Sequence, residues 1–124
     1  MAATNLYLTN VWRYEQSGTD FGIAWRDPAY DDSAWPAGAA LLYATTSSLQ
    51  APRNTPLTLG PTTYYFRTTF VYAGDTASSL TLRHIIDDGA VAYLNGVEFF
   101  RYRMPAGVIT NGTRASSGVG IPPL

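Results

Sequence analysis

The sequence predicts an all-β fold, and three observations carry that prediction. Windows free of Gly and Pro alternate with period two and are rich in Thr, Tyr, Val and Phe. The pair Asn95-Gly96 stands between two such windows, the strongest short hairpin signal. Gly, Pro, Asp and Asn punctuate the rest and leave no window in which helix is easily placed.

Leu6 to Tyr14 reads as the first strand, followed by a turn-rich stretch from Gly18 to Gly38 that contains Pro28 and Pro36. Ala39 to Tyr43 reads as a second strand. Thr45 to Pro61, with Pro52, Pro56 and Pro61, reads as one long loop. The clearest strand is Thr62 to Tyr72. There Tyr64, Phe66, Phe70 and Tyr72 point one way and Thr63, Tyr65, Arg67 and Thr69 the other, with one face expected in the core. Ser79 to Ile86, Ala90 to Leu94 and Val97 to Arg101 then form an expected antiparallel meander, turning at Asp87-Asp88-Gly89 and at Asn95-Gly96.

A chain of 124 residues fits one domain, residues 1–124, in which 1–10 form an N-terminal arm or edge strand and 115–124 a Gly/Pro-rich tail. The formal charge is −1, and the eight cations, all arginine, are scattered, so no stripe for nucleic acid exists. The absence of cysteine removes disulfides and thiolate chemistry. No apolar run reaches the length of a membrane span, and the first ten residues lack a signal-peptide pattern.

Trp12-Arg-Tyr14 with Gly22-Ile-Ala-Trp25, Tyr30-Asp-Asp-Ser-Ala-Trp35, Tyr64-Tyr-Phe-Arg67 with Asp87-Asp-Gly-Ala90, and Tyr93-Leu-Asn-Gly96 occur in an order and spacing worth attention. Together they resemble the galactose-binding-like jelly-roll modules of secreted bacterial proteins, including the sugar-binding sandwich domains of β-galactosidase-like glycoside hydrolases. The resemblance implies an antiparallel β-sandwich that binds carbohydrate or mediates adhesion outside the cell, with catalysis belonging to another domain. It also implies closing strands that the Ala115 to Leu124 tail does not supply, because Gly and Pro disfavour ladder pairing. A neighbouring chain would then complete the sheet by strand addition, with Ala2 to Leu8 the available donor, as in an oligomer, filament, surface layer or virion. The alternative is closure within the chain, by the same segment or by Val108 to Thr110.

The motifs read first as architecture. In Tyr30 to Trp35 the Asp and Ser side chains cap a tight turn, and Trp35 plugs the sandwich. His84, the single histidine, lies on an apolar strand face and reads as a satisfied, partly buried core residue. The carboxylate pairs Asp31/Asp32 and Asp87/Asp88 are sequence neighbours whose side chains diverge, and no nucleophile elbow or phosphate loop occurs, so no enzyme is expected. For a structural calcium, the cofactor the resemblance implies, Asp20, Asp27, Asp31 and Asp32 are the candidates. For a glycan they are Tyr43, Tyr72, Arg101, Tyr102 and Arg103, rings for sugar faces beside fixed polar groups. Asn111-Gly112-Thr113 is a glycosylation sequon read as an exposed loop.

Overall fold

The computed structural model describes residues 10–44, 52–70 and 84–116. It is all-β, with no α-helix among the described residues. Strand β1 (Val11–Glu15) is central, flanked by β2 (Ala37–Ala39) and β5 (Tyr65–Arg67) in an antiparallel sheet of order β2-β1-β5. A short pair joins β3 (Leu42–Tyr43) to β4 (Thr55–Pro56) in parallel, and a hairpin joins β6 (Ala90–Leu94) to β7 (Val97–Tyr102). One 3₁₀ turn, Ala24–Arg26, interrupts the loops.

Several expected strands change their bounds. The first begins, among the described residues, at Val11 and ends at Glu15. The run Ala39 to Tyr43 is split, because its first residue completes β2 beside β1 while Leu42 and Tyr43 turn to β4. Ala40 and Leu41, the two residues between, are buried at 7% and 8% exposure, so the break is itself a core element. The long loop contributes β4, where Thr55 and Leu57 donate to the carbonyls of Leu41 and Tyr43. Pro56 sits between these two donors, so its missing N–H costs the ladder nothing. Of Thr62 to Tyr72, only Tyr65–Arg67 pairs with β1, and residues 71 and 72 lie outside the described set. Residues 79–83 also lie outside it, and His84 to Ile86 carry no strand, so of the expected meander the hairpin alone lies among the described residues. Val108 to Thr110, offered as an edge strand, is irregular, and Val108 is 88% exposed. The donor segment 2–8 and the tail beyond Ser116 are outside the described residues.

The hairpin turn is as expected: Asn95 and Gly96 have φ of 51° and 84°, the left-handed pair that matches strand twist. A bulge follows, since Ala92 faces Phe100 but Tyr93 faces Glu98, leaving Phe99 unpaired and 46% exposed.

The core is aromatic. Trp35 and Tyr65 are buried, at 4% and 6% exposure. Phe21 packs on both, with ring centroids 5.4 and 5.2 Å away. Trp25 meets Tyr65 edge-on at 5.0 Å and Tyr93 of β6 at 5.7 Å, so one line of rings ties the three-stranded sheet to the hairpin. Trp35 is therefore buried in the core, as its turn motif suggested. Asn111 secures the same region, donating through Nδ2 to the Tyr65 hydroxyl at 2.9 Å and to the Thr19 carbonyl at 3.2 Å. The sequon is thus a half-buried clamp and not the exposed loop expected of it. His84 packs 4.9 Å from both Phe100 and Tyr102, but its buried Nδ1 has no hydrogen-bond partner among the described residues, which corrects its reading as satisfied.

Candidate binding cleft

In the antiparallel register Arg13 stands opposite Arg67 on one side and Ala37 on the other, and directly opposed side chains share a face. That face also bears Val11, opposite Ala39, and Tyr65, opposite Glu15. At its end lies an open cleft of about 440 Å³ lined by Val11, Arg13, Ala37, Arg67, Thr68 and Thr69 from the sheet and by Pro28, Tyr30 and Asp32 from the loop. Its size falls in the range of small-ligand sites.

The loop is held over the sheet by Arg67. Its Nη1 pairs with the Asp32 carboxylate and donates to the Tyr30 carbonyl at 3.2 Å, while Nη2 donates to the Asp27 carbonyl at 3.0 Å. The guanidinium also lies 5.4 Å from the Tyr30 ring. The Arg67 side chain is only 12% exposed, so these contacts exclude much of the water that would weaken them. Arg13 is different: it is exposed, and its Nη1 donates to the Trp35 carbonyl at 2.8 Å. It takes part in neither the Arg67–Asp32 nor the Arg101–Glu98 ion pair.

The four expected calcium ligands are dispersed among other tasks. Asp20 accepts from Gly22 N–H, Asp27 from Ala29 N–H and Asp31 from Ser33 N–H, each a short side-chain turn, and Asp32 serves Arg67. The Ser33 hydrogen bonds hold the Asp31 carboxyl below its ordinary pKa. Among the described residues no three acidic or histidine side chains gather as a metal set.

The expected glycan residues are also dispersed. Tyr43 lies on β3 with the Arg53 guanidinium 5.4 Å from its ring. Arg101 is committed to its own loop, bound to both Glu98 oxygens and to the carbonyls of Pro105 at 2.6 Å and Gly107 at 3.0 Å. Tyr102 and Arg103 do meet, with the Arg103 guanidinium 5.4 Å from the ring and its Nε donating to the hydroxyl at 3.1 Å. Tyr72 is outside the described residues. The cleft residues Arg13, Tyr30, Asp32 and Arg67 were missed as a site, although each lies within a motif quoted for its architecture. The only local signal was that Tyr65 and Arg67 alternate onto one strand face.

Compared with protein-family models, curated proteins and solved structures, the chain matches none.

Proposed function

We propose that this chain is a non-catalytic, extracellular carbohydrate-binding or adhesion module of the galactose-binding-like sandwich type, and that its sugar site is the cleft beside Arg13. The observation that carries this reading is the convergence there of an aromatic ring, guanidinium forks, a carboxylate and threonine hydroxyls, in a water-open cleft of about 440 Å³. Sugars need this mixture: an apolar ring face for C–H groups and fixed donors and acceptors for hydroxyls. Titration calorimetry of the chain against neutral and acidic oligosaccharides tests it. Saturable binding that Thr69→Trp blocks by filling the cleft is the expected result, and no binding across the panel refutes the reading.

A second reading, a structural subunit assembling with other chains, is favoured by apolar exposure. Ile23 and Val97 are 72% and 69% exposed, and both line a second groove of about 420 Å³ beside Pro28 and the Asn95-Gly96 turn. Light scattering on the purified chain tests it, since a monomer at all concentrations ends that reading.

A further inference from the structure

Two arginines directly opposite on one face of an antiparallel pair repel, and Arg13 and Arg67 are such a pair. Asp32 neutralises Arg67. No carboxylate among the described residues does the same for Arg13, although its Nη1 is fixed by the Trp35 carbonyl. The side chains lining the cleft thus sum to one positive charge, two arginines against one aspartate, in a chain whose formal charge is −1. A guanidinium anchored through one nitrogen on an exposed residue is pre-oriented to accept a planar anion with little further ordering.

We propose that the cleft is selective for sugars that carry a carboxylate, with Arg13 as the residue that binds it. This rests on the carbohydrate reading and narrows it. The Arg13 fork engages the carboxylate through its remaining N–H groups. Thr69 and Tyr30 lie along the same cleft to meet the sugar ring, and Arg67, already occupied by Asp32, holds the loop in place and leaves the anion to Arg13. The excess positive charge that opposes folding of this sheet face is offset when an acidic sugar is bound.

The test uses two matched pairs of probes: oligogalacturonate against the same oligomer after carboxyl reduction, and sialyllactose against lactose. The acidic member of at least one pair is expected to bind tenfold or more tighter than its neutral partner, and the preference should shrink as salt rises. Arg13→Gln should abolish the preference, so that the acidic and neutral members of each pair bind alike. Arg13→Lys, which keeps the charge without the fork, should retain only part of it. Circular dichroism establishes that each variant is folded. Equal affinity within both pairs overturns the acidic preference and leaves the carbohydrate reading intact. Absence of binding to all four probes overturns both. An acid preference that survives Arg13→Gln overturns the assignment to Arg13.

Discussion

The three-stranded sheet and the β6–β7 hairpin divide regularity from burial. The hairpin has the longer strands, five and six residues paired along their length but for one bulge, yet none of its residues is fully buried. The flanking strands of the sheet are only three residues long, yet Trp35, Ala40, Leu41 and Tyr65, the buried apolar residues among those described, belong to it or to the loops on it. Backbone pairing contributes little net free energy where water competes for the same groups, whereas burial of large rings contributes several kcal/mol each. Stability should therefore concentrate at the ring cluster, and the cleft that borders it inherits that rigidity.

Replacing one ring on each side is the most direct way to break this contrast. Trp35→Ala removes a residue 4% exposed that touches Phe21, Tyr30 and Tyr65, and should cost roughly 3–5 kcal/mol in denaturant unfolding. Phe99→Ala, at the 46% exposed bulge, should stay within about 0.5 kcal/mol of the wild type. Equal losses from both would mean that the hairpin carries as much of the core as the sheet.

A smaller effect is expected where the sheet meets the β3–β4 pair. A Cβ placed on Gly38 would lie 2.5 Å from Thr55 Oγ1 and 2.6 Å from its Cγ2, and Thr55 is itself held by the Ala39 carbonyl at 2.7 Å. Gly38→Ala should cost roughly 1–3 kcal/mol by overpacking. Combining it with Thr55→Ala should recover part of that loss, because the two changes share one contact. Strict additivity in thermal unfolding would place the cause elsewhere.

What was legible in the sequence follows the same division. The hairpin could be read because its turn and strands are contiguous, and local chemistry at Asn95-Gly96 fixes the pairing. Trp35 could be read because its capped turn surrounds it in sequence. The cleft was not, since Arg13, Tyr30, Asp32 and Arg67 come from positions far apart and meet only through the register of β1 with β5. Arg101 shows what local sequence leaves out: an arginine beside a tyrosine reads as a sugar contact, but two carbonyls and Glu98 already engage it. The β3–β4 pair was obscured by proline, whose missing N–H matters only when the ladder asks for it.

Within the hairpin the turn itself should be the most sensitive point. Gly96 has φ 84°, and a Cβ there meets only ordinary contacts, Arg26 O at 3.6 Å and Pro28 Cδ at 3.8 Å, so any penalty comes from the backbone. Gly96→Val should cost roughly 1–2 kcal/mol, the strain of a β-branched residue held left-handed. A neutral result in thermal unfolding would show that the hairpin is uncoupled from global stability, a sharper form of the contrast than burial alone implies.

The smallest effect should come from the exposed ion pair on β7. Arg101 presents Nε and Nη2 to the two Glu98 oxygens at 3.0 and 2.7 Å, and this hydrogen bonding is the main cause that holds the Glu98 carboxyl below its ordinary pKa and raises that of Arg101. A carboxyl depressed in the folded state stabilises it above the unfolded pKa, and that contribution is lost as pH falls through the folded value. Glu98→Gln should therefore melt slightly below the wild type at neutral pH, and the two curves should converge in acid once Glu98 is protonated. Solvent screening keeps the effect small, and added salt should shrink it further. A gap that persists in acid, where both side chains are neutral, would show that the loss does not come from the Glu98 charge.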